Sequence, residues 1–283
     1  LVKGSHIVVP RQHAGEHAFI LQNRDNRIVF VIPYQNDYTL IGTTDVPYEG
    51  DPREVKITEQ EIDYLCAIAS DYLASAVTPA DVVWTYSGVR PLYDDGSDNP
   101  SAVTRDYVFE LDAVDGRTPL LSVYGGKITT YRELAERALH KLKPFYPAMG
   151  PDWTAQGPLP GGDLELEFEA FVGQLVARHP ALAPDYLRHL ARRHGSHVDL
   201  ILNGVHKPED LGRHFGGELY EREVDWLMRE EWAVEAQDVL WRRTKEGLHL
   251  DEAQRQALAE LMAANRRNRR FGARTMRGRR CAR

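Results

Sequence analysis

Six consecutive residues, Gly125-Gly126-Lys127-Ile128-Thr129-Thr130, combine the features that hold an anion or an electron-rich ring. Two glycines leave a strand pattern and enter a helix pattern, so backbone N–H groups and the positive end of a helix can approach a ligand closely. Lys127 adds a full charge. A nucleoside-triphosphate loop is excluded, because Leu121 stands where its first glycine belongs and Ile128 where Ser or Thr must follow the lysine. Alone, the segment reads as a tight turn with an exposed lysine. Three more residues sit at strand ends or in loops: His6, Arg90 before Pro91, and Arg105 ahead of the next strand. Each alone reads as a surface side chain. Together with Lys127 they could form one cationic pocket for a small phosphorylated substrate, since guanidinium suits phosphate and carboxylate oxygens.

Other chemistries find no support. There is no Gly-x-Ser-x-Gly elbow, and no G-x-G-x-x-G fingerprint for a dinucleotide. His189, His194 and His197 have a loosely metal-like spacing but no accompanying carboxylate or thiol pattern, so they read as surface histidines and no metal site is expected. Two cysteines, Cys66 and Cys281, cannot make a disulfide framework or a four-thiolate zinc site. Cys66 lies on an apolar helical stripe and reads as core.

The elements that must position these residues follow from periodicity. Phe19 to Leu21, Ile28 to Ile32, Tyr38 to Ile41, Val82 to Tyr86, Tyr107 to Leu111 and Leu120 to Tyr124 are short apolar runs split by polar turn clusters. Asp115-Gly116 marks a hairpin between the last two. Thr58 with Glu61, and Thr130 with Glu133, have capping-box spacing and open two helices. Pro and Gly gather between residues 151 and 162, which reads as a linker. Helical patterns follow at Phe168 to Arg178, Tyr186 to His194, Leu219 to Trp232, Glu235 to Arg243 and Asp251 to Asn265. Strands followed by helices predict an α+β chain in two domains. The expectation is one mostly antiparallel sheet with flanking helices in residues 1–150, the linker 151–162, an all-α domain in 163–265 and an Arg-rich tail in 266–283.

Composition fits that plan. The 283 residues are 42% hydrophobic and 27% charged, enough for a real core, and no apolar run approaches the ~20 residues of a membrane-spanning helix. The net charge of −7 hides an asymmetry. Residues 266–283 hold nine arginines and no acid, while the rest carries 26 basic against 42 acidic residues. Such a tail is a solvated arm or an anchor for anionic lipid or nucleic acid. The chain begins with Leu1 on a strand pattern and without a signal-peptide pattern, which reads as the middle of a larger protein.

As strings, Gly4-Ser5-His6-Ile7-Val8-Val9-Pro10, Ile41-Gly42-Thr43-Thr44-Asp45, Trp84 to Leu92, Thr104-Arg105-Asp106-Tyr107, Gly125 to Arg132, Leu159-Pro160-Gly161-Gly162 and Trp241-Arg242-Arg243-Thr244-Lys245 resemble the FAD-dependent glycerol-3-phosphate dehydrogenase family, in order and at similar spacing. The resemblance implies a later part of that enzyme, without its Rossmann segment for the ADP half of FAD, so this chain alone should bind FAD weakly or not at all. It implies oxidation of sn-glycerol 3-phosphate to dihydroxyacetone phosphate, with electrons passed through FAD to membrane quinone. By this resemblance His6, Arg90 and Lys127 are catalytic, and Arg90, Arg105 and Lys127 bind substrate. Gly125, Gly126, Lys127, Ile128, Thr129 and Thr130 would contact the flavin. It further implies a cytoplasmic protein, peripheral on the inner face of the membrane, without nucleic acid and compatible with a homodimer. A glycerol-3-phosphate oxidase, an amine-oxidising flavoenzyme and an inactive structural fragment stay open beside it.

Overall fold

The computed structural model describes the backbone of residues 1–90, 106–114 and 117–280, and side chains as far as residue 266. Two compact units divide between Gly157 and Pro158. In the first, β1 (Val2–Pro10), β2 (Phe19–Gln22), β3 (Ile28–Tyr34), β4 (Tyr38–Gly42), β5 (Val46–Pro47) and β6 (Trp84–Arg90) form an antiparallel sheet. Its order runs β2-β3-β4-β1. The strand β5 continues beside the start of β1 on the β4 side, and β6 pairs along β1 from Val2 to Val8. Tight turns join the meander, with Asn26 at φ 63° and Asn36 at φ 63°, left-handed conformations that asparagine tolerates.

Alternation sorts the two faces of this sheet. Ile7, Val9, Leu21, Val29, Val31 and Ile41 point to one side and bury against Leu65, Cys66 and Ala69 of α1 (Glu59–Tyr72). Register keeps them together, since Ile41 lies opposite both Ile7 and Val31. Each such side chain contributes roughly 1.5–3 kcal/mol by leaving water. Cys66 belongs to this core, as its stripe indicated. The Thr58–Glu61 capping box forms in full. On the other side of the sheet lie Gly4, His6, Gly42, Tyr86 and Gly88, in register with one another, with Ile20 and Phe30 exposed.

Where one sheet is expected, the described residues form two. Among them the strands β7 (Tyr107–Asp112) and β8 (Leu120–Gly125) pair only with each other, and α2 (Tyr131–Leu142) follows through a 3₁₀ turn at Ile128–Thr130. Inserting that turn moves Thr130 off the cap position geometry. Its hydroxyl donates to the Lys127 carbonyl at 2.9 Å, so the second capping box does not form. The Asp115-Gly116 turn lies outside the described residues.

The second unit holds α3 (Phe168–Arg178), α4 (Pro184–His194), α5 (Val198–Ile201), α6 (Glu221–Glu230), a π-helical turn at Asp238–Arg243 and α7 (Glu252–Arg280). The expected all-α character is corrected by a small hairpin, β9 (His214–Gly216) with β10 (Leu219–Tyr220). Gly216 and Gly217, at φ 125° and 53°, supply its turn. The residues expected as the start of a helix at Leu219 are therefore strand, and the helix begins at Glu221. In the backbone, α7 runs on through the arginine-rich end to Arg280. Arginine is a good helix former, and that stretch has no proline to stop the helix. No helix among the described residues is long and apolar enough to cross a membrane.

Candidate functional site

The sheet's second face carries a compact constellation around His6 and Arg90. His6, on β1, lies between Gly42 of β4 and Tyr86 of β6. The Tyr86 ring stacks on the imidazole at 4.8 Å between centroids and 8° between planes. On the opposite side, a Cβ at Gly42 would run into the imidazole ring itself. Glycine is required there because the ring lies flat against the strand. Gly42→Ala should displace the imidazole and cost about 1–3 kcal/mol as an overpacked contact. A urea melt, with the His6 ring resonances followed by NMR, checks both halves.

Arg90 ends β6 and forms an ion pair with Asp45. Gly4 makes room for it: a Cβ there would come to 3.0 Å from an Arg90 guanidinium nitrogen and 2.7 Å from the Thr43 hydroxyl. His6 feels this neighbour. Burial first, and then the Arg90 charge, push its pKa from the ordinary 6.5 down to about 4. The imidazole is therefore neutral at neutral pH. Its Nδ1 is buried and has no hydrogen-bond partner among the described residues, which leaves one proton-accepting or proton-donating position of the ring unused among them, whichever tautomer is present. A neutral, unengaged imidazole beside a guanidinium can take a proton from a hydroxyl whose oxygen or attached anion the guanidinium holds.

The other expected residues are placed differently. Lys127 follows the β7–β8 ribbon, and no hydrogen bond or ion pair between described residues joins it to His6 or Arg90. Arg105 lies outside the described residues. The glycine turn itself is as the sequence indicated. Gly125 and Gly126 have φ 69° and 88°, and a Cβ at Gly126 would press to 3.2 Å from Tyr107 and 3.4 Å from Leu134. Ile128 beyond it is 87% exposed. Backbone N–H groups and an apolar surface thus stand together at the start of a helix, which suits the acceptor edge and apolar face of a flavin. Gly125, Gly126, Lys127, Ile128, Thr129 and Thr130 are the residues that could hold it.

Sequence reasoning missed Asp45, Gly42, Gly4 and Tyr86 as site residues. Gly42 and Asp45 lie in a string that was noticed only as a resemblance, and Gly4 was visible as a glycine inside a strand, a mark of close approach. It also misread the histidines of the second unit. His194 is buried, 6% exposed, and contacts Glu223 and Glu231, while His189 is half-buried beside Arg193 and Glu246. Among the described residues no group of side chains could hold a metal ion.

Residues 1–132 match the family described as FAD dependent oxidoreductase, and residues 153–270 match the C-terminal domain of alpha-glycerophosphate oxidase. The chain is 50% identical to the aerobic glycerol-3-phosphate dehydrogenase of Escherichia coli over 260 residues, 92% of this chain and 52% of that protein. It is also 50% identical to the glycerol-3-phosphate dehydrogenase of Pseudomonas aeruginosa over 93% of this chain and 51% of that protein. To the D-erythritol 1-phosphate dehydrogenase of Brucella abortus it is 49% identical, over 92% of this chain and 52% of that protein. The chain spans about half the length of these curated relatives. Residues 1–132 thus belong to the FAD dependent oxidoreductase family, and residues 153–270 to the family of the C-terminal domain of alpha-glycerophosphate oxidase.

Proposed function

We propose that this chain forms the substrate side of an enzyme that oxidises sn-glycerol 3-phosphate to dihydroxyacetone phosphate. The observation that carries this reading is the neutral, half-buried imidazole of His6, stacked on Tyr86 and set beside the Arg90 guanidinium. FAD, when bound, supplies the hydride acceptor. His6 takes the C2 hydroxyl proton as the carbon is oxidised, and Arg90 holds the phosphate or the developing alkoxide oxygen. Lys127 would add charge at the flavin side of the substrate, and Arg105 would bind phosphate. Quinone as the electron acceptor and attachment to the inner face of a membrane belong to the same proposal.

Two observations favour related readings. The similarity to a D-erythritol 1-phosphate dehydrogenase points to a longer polyol phosphate, and the oxidase-named C-terminal domain points to oxygen as acceptor. Dye reduction with each phosphate and oxygen uptake without quinone separate them. In the FAD-loaded protein, Arg90→Ala should raise KM for sn-glycerol 3-phosphate roughly 10–150-fold, the loss of a charged hydrogen bond worth about 1.5–3 kcal/mol. An unchanged KM would reject Arg90 as a substrate contact.

A further inference from the structure

We infer that the buried Lys3–Glu61 ion pair beneath the sheet is a positioning device for Arg90, acting through Thr44, Ser5 and Ser87. This rests on the proposal that Arg90 holds substrate, and goes beyond it by assigning work to residues on the opposite side of the sheet.

Lys3 and Glu61 are 5% and 7% exposed, with 2.7 Å between their charged groups. Glu61 closes the capping box of α1, yet its carboxylate does more than cap. One oxygen accepts from the Thr58 backbone N–H at 2.9 Å and meets Lys3. The other oxygen, Oε1, accepts from the Thr44 hydroxyl at 2.8 Å and from the Ser5 hydroxyl at 2.9 Å. Since the single Ser5 proton goes to Glu61, the hydroxyl of Ser87 must be the donor in its 2.9 Å bond to Ser5. Burial would push the Glu61 carboxyl up, but Lys3, the Thr58 backbone and the two hydroxyls outweigh it and hold the group near 2. The carboxylate therefore stays charged and keeps accepting throughout the physiological range.

Two chain segments hang from this one carboxylate. Thr44 belongs to the loop that runs alongside β1 from β4 to β5. Its hydroxyl also accepts from the Ser5 N–H at 3.0 Å, and its own N–H reaches the Ser5 carbonyl at 3.3 Å. With Thr44 1% exposed and anchored inward, its neighbours Thr43 and Asp45 are left to the other side, where Asp45 meets Arg90. Ser87 belongs to β6, three residues before Arg90. The two partners of the Asp45–Arg90 pair thus ride on separate segments, each tied to Glu61, one directly and one through Ser5. A flexible arginine carries large rotamer freedom that must be lost before it can bind an anion. Fixing both ends of its clamp removes that cost in advance.

The test uses the 283-residue chain and the Arg90 Nε–Hε resonance. Thr44→Val keeps the shape but removes the hydroxyl. It should shift this resonance and lower its order parameter from a rigid value to below about 0.6, with the Ile7 and Ile41 methyl signals unchanged. Thr44→Ser should restore it. If Thr44→Val does not fold, Ser87→Ala, which cuts only the β6 tie, serves in its place. In FAD-loaded protein the same change should raise KM about tenfold with kcat little altered. A folded Thr44→Val or Ser87→Ala whose Arg90 resonance matches the wild type overturns the inference, because a purely structural network would lower Tm and leave Arg90 unmoved. Titration of the wild-type chain with sn-glycerol 3-phosphate separates the two claims. Failure of that phosphate to perturb Arg90 counts against the substrate reading, whereas loss of Arg90 order in the variants still supports the positioning role.

Discussion

Replacing His6 with glutamine in the FAD-loaded protein should cut turnover of sn-glycerol 3-phosphate by about two to four orders of magnitude, the range that a positioned general base supplies. Stability should change little, because the half-buried ring's Nδ1 has no hydrogen-bond partner among the described residues. The pH profile adds a second, independent check. Burial and Arg90 hold His6 near 4, so kcat/KM should stay level as pH falls from 7 through 5.5 and drop only near 4. An acid limb at the ordinary histidine value of about 6.5 would show that His6 is not the base. Stability has the matching sign. The unfolded chain takes up a proton near 6.5 that the folded chain refuses until about 4, so the folded state loses ground as pH falls through that window. His6→Gln should remove that dependence, which denaturant melts at pH 7 and pH 5 would detect.

His6 could be singled out from the sequence; that it is neutral could not. A histidine in a strand pattern says nothing of its neighbours. Its depressed pKa comes from Tyr86 and Gly42 closing over the ring and from Arg90 arriving across β6, all contacts set by strand register. The alternating apolar runs, the Thr58–Glu61 box and the Gly125-Gly126 turn were legible because each is a local signal with one physical cause. The separation of β7–β8 from the main sheet was not, since strand pairing between distant segments leaves no local trace. The β9–β10 hairpin was missed for another reason: Gly216-Gly217 was a turn signal, but the two strands beside it are too short to show alternation. The buried pairs were illegible for the same reason as His6. Lys3 and Glu61 each look like surface charges until α1 packs under β1.

The second unit offers the largest stability effect. His189, His194, Arg193, Glu223, Glu231 and Glu246 form one largely buried polar network. Arg193 lies 3.0 Å from Glu223 and also pairs with Glu246, while His194 places its two ring nitrogens 2.8 Å from Glu223 and 3.2 Å from Glu231. Carboxylates only accept, so both nitrogens of His194 must carry protons for both contacts to be hydrogen bonds. Burial opposes that charge, but the two glutamates outweigh it and raise the His194 pKa. Glu223 has no exposed surface; against the upward push of burial, Arg193 and His194 bring its carboxyl down to about 2. Glu223→Ala would leave Arg193 short of a partner and His194 with Glu231 alone, in a place water does not reach. We expect a loss of about 3–5 kcal/mol, the cost of breaking a buried pair by removing one side, read by urea unfolding followed through tryptophan fluorescence, to which Trp226 contributes from within the network, its indole N–H donating to Glu231 at 2.9 Å. The two shifts also fix the direction of the pH response. The Glu223 contribution is complete above about 4.5 and fades as pH falls toward 2, and the His194 contribution is complete below about 6.5 and fades as pH rises past it. The network is therefore strongest between these limits. Glu223→Gln, which keeps the volume, should flatten the acid side of that profile and weaken the alkaline side. A variant as stable as the parent, with the same pH profile, would mean that the network's charges are balanced elsewhere.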